Sequence, residues 1–290
     1  MRNFKPDEYK LFMQVCQMTQ EQLLKTLSIT LKKAKYNTIE TQEYLVAKGD
    51  IPICLVAHLD TVFNFPPKNF YYDRIANVIW SPEGLGADDR AGVFAILQII
   101  KSGLRPHIIF TTEEETGGVG ALHAALEGCP FEDIRYIIEL DRQGAIDCVF
   151  YDCNNKKFES YIESFGFITA RGTFSDISIL CPEWKIAGVN LSVGYYNEHS
   201  YSEILNVSHL LSTINKVRKM LIGNTYPNKF KYIPDTNSKW YKYNYHNDIK
   251  TCACCQNEFF PEEMVKVSSE AGSKYYCYDC IENNIYWNNI

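Results

Sequence analysis

The sequence has no apolar run long enough to cross a membrane, and its first residues, MRNFKPDEYKLFMQ, lack the apolar core of a signal peptide. We therefore expect a cytoplasmic protein without membrane contacts. Positive charge is also scarce: 29 lysines and arginines stand against 35 aspartates and glutamates, and the net charge is −6. That balance disfavours a nucleic-acid partner. The hydrophobic content of 46% and the charged content of 22% are typical of a soluble globular protein.

The eleven cysteines are an odd number, and the first six are scattered along the chain, which indicates reduced thiols rather than a disulfide framework. The last five are clustered. Cys252 and Cys255 form one CxxC pair, Cys277 and Cys280 form another, and 21 residues lie between the pairs. Two such pairs suit a tetrahedral structural zinc ion, so we predict a zinc ribbon over residues 251–290, with Cys254 as the spare thiol.

Residues 224–290 contain seven lysines, no arginine and eight acidic residues. This segment therefore lacks the positive charge that phosphate binding needs. We expect the ribbon to contact a protein partner, to gate the substrate or to cap the fold.

Strands alternate with helices between residues 43 and 222. Apolar runs at 51–60 (IPICLVAHLD), 107–112, 136–140 and 186–193 are typical of buried strands, and residues 43–47 suggest an edge strand. Residues 7–35 have helical periodicity, and a helix is expected from about 203 to 221. The pattern predicts an α/β protein, a three-layer α/β/α sandwich with a mostly parallel central sheet. We assign residues 1–222 to this domain and 223–250, rich in Asn, Pro, Tyr and Lys, to a linker.

Acidic and histidine side chains stand where these strands end. The carboxyl ends of strands in such sheets are where sites are built. The candidates at these positions are His58 and Asp60 in HLD, Asp88 in GLGADDRAG, Glu114 and Glu115 in TTEEETGG, Asp141, and His199 in GYYNEHSYSE.

Taken singly, each stretch has an ordinary structural explanation. The three glutamates suit a solvated loop, His58 suits a satisfied core histidine, and the Asp-Asp pair suits helix N-caps. Asp176 is interpreted as a cap or turn residue rather than a ligand. Taken together, two histidines and three carboxylates, one of them bridging, are what two zinc-like ions need, and one carboxylate remains as a base.

The motifs HLDTV, GADDRAG and EETGGVGA, the strand-end Asp141 and the NEHSYSE loop resemble, in order and spacing, the co-catalytic di-zinc exopeptidase superfamily. That group includes zinc aminopeptidases, peptidase T-like enzymes and acetylornithine deacetylase-like enzymes. The resemblance covers about residues 40–222 and implies a phosphorylase/hydrolase-like aminopeptidase core. Residues 1–222 would then be a di-zinc peptidase-like catalytic domain. The C-terminal ribbon is not a usual part of the family.

The resemblance also implies a role for each site residue. Asp88 would bridge two zinc ions, or two cobalt or manganese ions. His58 and Asp141 would complete one metal site, and Glu115 and His199 the other. Glu114 would be the general base, and Asp60 would support catalysis by holding His58. A nearby tyrosine, Tyr195 or Tyr196, is a positional candidate for stabilising the oxyanion.

The implied activity is that of a metallopeptidase, an aminopeptidase or small-peptide hydrolase. Only 29 residues separate His58 from Asp88 and 57 separate Asp141 from His199, which leaves no room for a lid domain and favours a compact enzyme. Two alternatives stay open. One is a related di-zinc amidohydrolase or deacylase acting on an N-acyl or other non-peptide amide. The other is a catalytically inactive binding protein that uses the ribbon.

Overall fold

The computed structural model describes residues 2–222, 229–235, 250–255, 258–259, 264–269, 272–277 and 280–281. The chain divides into two compact units, Met1–Pro234 and Asp235–Ile290. Most of the predicted linker and much of the predicted ribbon lie outside the described residues, so the proposed domain bounds stay a prediction.

The first unit contains both helices and strands. Its helices are α1 (Pro6–Cys16), α2 (Gln20–Lys33), α3 (Ala87–Lys101), α4 (Val119–Leu126), α5 (Lys156–Glu163), α6 (Asp176–Trp184) and α7 (Val207–Ile222). Its strands are β1 (Asn37–Glu40), β2 (Tyr44–Lys48), β3 (Ile51–His58), β4 (Tyr71–Asp73), β5 (Val78–Trp80), β6 (Pro106–Thr111), β7 (Tyr136–Arg142), β8 (Asp147–Val149), β9 (Ile168–Thr169), β10 (Gly188–Ser192), β11 (Tyr195–Tyr196) and β12 (Ile204–Asn206).

Eight of these strands form the central sheet, in the order β1-β2-β6-β3-β7-β10-β8-β9. The four inner strands β6, β3, β7 and β10 are mutually parallel. Every residue of β3 is buried, as the continuous apolar run predicts for a strand covered on both faces. The predicted mostly parallel sheet is confirmed. The predicted edge strand is wrong, because β2 pairs with both β1 and β6, and β1 forms the edge.

Helices cover both faces of this sheet. On one face, α1, α2, α3, α5 and α7 contribute to a large apolar core that includes Phe12, Phe94 and Val217. On the other face, α4 and α6 build a second core with residues such as Ala121 and Leu180. This arrangement confirms the three-layer α/β/α sandwich. None of the helices in the described ranges is long and apolar enough to cross a membrane.

A small antiparallel sheet, β11-β12-β5-β4, stands beside the main one. It corrects one prediction: residues 204–206 form β12 rather than the start of a helix, and α7 begins only at Val207. β12 pairs with both β11 and β5, so the loop that carries His199 runs between β11 and β12.

The second unit contains short antiparallel pairs in its described part. They are β13 (Lys250–Thr251) with β14 (Glu258–Phe259), and β15 (Met264–Ser269) with β16 (Gly272–Cys277). Cys252, Cys277 and Cys280 are buried there beside Met264 and Tyr276.

Candidate metal centre

The predicted site residues come from five separate elements and meet at one end of the sheet. His58 is the last residue of β3, Asp141 lies near the end of β7, and Glu115 follows β6. Asp88 is in the first turn of α3, and His199 is in the loop after β11. Because parallel strands end at the same edge, residues far apart in sequence become neighbours here.

Asp88 lies between the two histidines. Its Oδ1 is 3.1 Å from His58 Nε2, and its Oδ2 is 3.2 Å from His199 Nε2. His58 Nε2 is also 3.5 Å from Asp141 Oδ1, and His199 Nε2 is 2.9 Å from Glu115 Oε2. One carboxylate oxygen therefore faces each histidine, which is the arrangement of a carboxylate shared between two ions.

Three overlapping groups of ligand atoms result, each with all atoms within 4.8 Å of one another. They are His58, Asp88 and Asp141; Asp88, Glu115 and His199; and His58, Glu114 and Glu115. Two imidazoles with several carboxylates form a donor set that zinc-like ions accept. A further observation agrees: the buried Glu115 Oε1 has no hydrogen-bond partner among the described residues.

Ionisation in the cluster reflects carboxylates crowded together out of water. Burial, then repulsion from Asp88, raises the pKa of Asp141 well above its usual range. Burial opposes protonation of His58, but the carboxylates of Asp141, Asp60 and Asp88 together outweigh it, and the His58 pKa rises. Burial and the neighbouring acids raise the pKa of Glu114 to about 7. Divalent cations would relieve this repulsion, so the residues present fit such ions.

Asp60 lies behind His58 and holds two parts of the site. Its Oδ1 is 3.2 Å from His58 Nδ1, which orients the imidazole so that Nε2 points to Asp88. The same carboxylate accepts the backbone N–H groups of Glu114 and Glu115, each at 3.0 Å. It thus links the end of β3 to the acidic turn after β6.

Glu203 is a site residue that the sequence analysis missed. It is fully buried, and its carboxylate accepts the N–H groups of Gly86 at 2.6 Å, Ala87 at 3.1 Å and Asp88 at 2.9 Å. Gly86 adopts a φ of 65°, a left-handed conformation that glycine tolerates best. This loop carries Asp88 into the cluster. Local sequence offers no signal for Glu203, because its partners lie more than 110 positions away.

Asp89, the second residue of the Asp-Asp pair, supports the site from behind. Its carboxylate accepts the N–H of His58 at 3.3 Å and that of Gly92 at 2.9 Å. The peptide bond between Asp88 and Asp89 is cis. Helix α3 also packs tightly here, because a Cβ on Gly92 would lie 2.1 Å from the carbonyl oxygen of Leu140. Asp89 therefore fixes the entrance of α3 against β3.

The side chains of Asp176, Tyr195 and Tyr196 form hydrogen bonds within the fold. Asp176 is the first residue of α6, is fully buried and accepts the hydroxyl of Thr111; the N-cap is Ser175, so the predicted capping role of Asp176 is wrong. The Tyr195 hydroxyl donates to Asp141 Oδ1 at 3.2 Å, so this tyrosine holds a candidate ligand. The Tyr196 hydroxyl is bonded instead to His209 Nδ1 at 2.7 Å.

The four cysteines of the second unit form a separate group. Cys252, Cys255, Cys277 and Cys280 have their sulfur atoms within 4.8 Å of one another, which fits a tetrahedral thiolate site. The N–H of Cys277 donates to Cys252 Sγ at 3.3 Å. Although burial opposes ionisation, backbone N–H donors lower the pKa of Cys252 to about 6, which favours the thiolate form that binds metal.

Solved structures share the fold of the first unit. Aminopeptidase PepT from Bacillus cereus matches with a TM-score of 0.59 at 16% identity, over 74% of this chain and 97% of that one. A tripeptidase from Staphylococcus aureus matches with a TM-score of 0.60 at 14% identity, over 74% of this chain and 96% of that one. A glutaminyl cyclase from Porphyromonas gingivalis matches with a TM-score of 0.52 at 14% identity, over 76% of this chain and 98% of that one. At these identities the likeness establishes the fold alone, and the sequence matches no protein-family model and no curated protein.

Proposed function

We propose that the chain is a metal-dependent hydrolase of peptide or amide bonds, an aminopeptidase or small-peptide hydrolase. The observation that carries this proposal is the position of Asp88, with one carboxylate oxygen toward His58 and the other toward His199. Asp141 and Glu115 complete the two groups around it. Two divalent ions held there, zinc or else cobalt or manganese, would acidify a water molecule and polarise the carbonyl of the scissile bond.

Glu114 is the residue to which we assign the proton transfers. It accepts a proton from the attacking water and donates it to the nitrogen of the leaving amine. Its carboxylate lies beside His58 and Glu115 in the cluster, where it can act first as a base and then as an acid. Asp60 positions this turn through the Glu114 and Glu115 N–H groups, and it keeps His58 in the required orientation.

We assign one structural zinc ion to the four cysteines of the second unit. Metal binding would stabilise this unit, as in other zinc-dependent small domains. This ion would take no part in the hydrolysis.

The proposal is tested with the full chain loaded with zinc. Wild type and Glu114→Gln are compared for metal content and for hydrolysis of dipeptides, tripeptides, aminoacyl anilides and N-acyl amino acids. We expect equal metal content and a rate that falls by about 10²–10⁴-fold in the variant, the usual contribution of a general base. Glu127→Gln, a substitution at the end of α4, serves as the matched control and should keep the wild-type rate.

Each other outcome has a definite meaning. A Glu114→Gln enzyme with near-normal rate would remove Glu114 from the base role. A wild-type protein that holds its metals but cleaves none of these substrates would overturn the hydrolase proposal. Cleavage of N-acyl amino acids alone would identify the amidohydrolase alternative.

A further inference from the structure

Arg90 is a buried cation without a counter-ion among the described residues. It directly follows the Asp88-Asp89 pair on α3, and only 3% of its surface is exposed. Its Nη1 donates to the carbonyl oxygen of Val15 at 2.9 Å, and its Nε is buried without a hydrogen-bond partner in the described part of the chain. A guanidinium offers five N–H donors, and the bond to Val15 uses one of them.

The carboxylates whose charge acts on Arg90 are Asp60 and Asp89, and both are engaged elsewhere. Asp60 accepts from His58 and from two backbone N–H groups. Asp89 accepts from the His58 and Gly92 N–H groups. The bond to Val15 places the cation at the C-terminal end of α1, which is favourable but satisfies one donor only. Burying an unpaired charge is costly, so a bound anion would complete this site.

Arg90 lines a cavity of about 510 Å³ that borders the candidate metal centre. The cavity wall includes Glu115, which is a candidate metal ligand. It also includes Asp60 and Gly86, which belong to the parts of the chain that support the metal centre. Val62 and Phe63 contribute apolar surface to the same wall. A cavity of this size, partly apolar and with a few polar groups, is typical of a small-ligand site.

Among the described residues, no acidic residue of the cavity wall forms an ion pair with Arg90. Glu115 faces His199 in the metal centre. Glu113 accepts from Gln20 Nε2 at 2.6 Å and from the Thr116 hydroxyl at 3.0 Å. The cation therefore stays available to a ligand that enters the cavity.

We propose that this cavity binds the substrate and that the Arg90 guanidinium binds a carboxylate of it, so that the enzyme prefers peptides or amides that carry a negative charge. The inference rests on the proposed hydrolase function and narrows its substrate class. The apolar wall would receive the uncharged part of the substrate, while the scissile bond lies toward Glu115. Arginine suits this role because its planar fork matches a carboxylate.

Two matched peptide pairs test the preference on the full chain with zinc. In the first pair, Leu-Glu amide and Leu-Gln amide differ only in the charge of the side chain. In the second pair, Leu-Ala and Leu-Ala amide differ only in the charge of the C-terminus. We expect the charged member of one pair to have the higher kcat/KM by roughly tenfold to a hundredfold, as for a hydrogen bond to a charged group. The pair that shows the effect identifies which carboxylate is bound.

Variants then assign the preference to Arg90. Arg90→Met should abolish it, and Arg90→Lys, which keeps the charge but loses the planar fork, should keep part of it. The control is Arg135→Met, an arginine paired with Asp133 before β7, which should keep the full preference. If Arg90→Met does not fold, Arg90→Lys and wild type still decide the question. Equal preference in wild type and Arg90→Met would overturn the inference.

Calorimetric binding of the same peptides to zinc-loaded Glu114→Gln separates this inference from the proposed function. Tighter binding of a charged member, with no hydrolysis of any peptide by wild type, would uphold the Arg90 site and overturn the hydrolase. Hydrolysis of charged and neutral members at equal kcat/KM would uphold the hydrolase and overturn the Arg90 site.

Discussion

Replacing Glu203 by glutamine should weaken metal binding although Glu203 touches no metal ligand atom. The carboxylate accepts three N–H groups of the loop that carries Asp88, two on Oε2 and one on Oε1. The amide of glutamine presents an NH₂ group at one of these positions, so at least one bond is lost. Burial raises the Glu203 pKa to about 8, so the group is charged above that pH, where a hydrogen bond to it contributes about 1.5–3 kcal/mol. If that energy is needed to hold Asp88 in place, metal affinity falls by roughly tenfold to 150-fold, at about 1.4 kcal/mol per factor of ten.

The assay is a cobalt titration of metal-free wild type, Glu203→Gln and Glu183→Gln. Glu183 is an exposed residue of α6 and serves as the control. The four-thiolate site is distinguished by its near-ultraviolet thiolate-to-cobalt band and should be unchanged in all three proteins. Only Glu203→Gln should bind cobalt more weakly at the histidine and carboxylate cluster. Wild-type affinity in that variant would refute the view that Glu203 positions Asp88.

Two further predictions concern histidines. The double substitution His58→Ala, His199→Ala should lower metal content from about three ions per chain to about one, read by elemental analysis, because only the four-thiolate site remains; unchanged content would show that the cluster holds no metal. His107 Nδ1 accepts the Gly49 N–H at 3.1 Å, and burial lowers the His107 pKa. Below about pH 6.5 the His107 imidazole therefore binds a proton in the unfolded chain but stays neutral in the folded chain, so the free energy of unfolding falls as the pH is lowered. Urea unfolding of His107→Gln should lack this pH-dependent part, whereas His123→Gln, at an exposed position, should retain it.

The strand-end residues were predictable because their information is local. A continuous apolar run such as 51–57 predicts a buried strand, and the residues that follow it, His58 and Asp60, must lie at the end of that strand. Parallel packing then brings all such ends to one edge of the sheet. The four cysteines were predictable for a similar reason, since two CxxC pairs indicate a thiolate site without knowledge of the fold.

Sequence alone thus determined the α/β class, the parallel core and which acidic and histidine residues meet. The tertiary structure decided which distant segments pair with one another, because such pairing leaves no periodic pattern in the local sequence. The segment predicted as an edge strand at residues 43–47 is instead the inner strand β2 (Tyr44–Lys48), because it pairs with both β1 and β6. Glu203 acquired its place through backbone groups 115 to 117 positions earlier, and Arg90 reaches Val15 across 75 positions. Packing in three dimensions decides which N–H groups donate to a buried carboxylate and which cation is left without an ion pair beside a cavity.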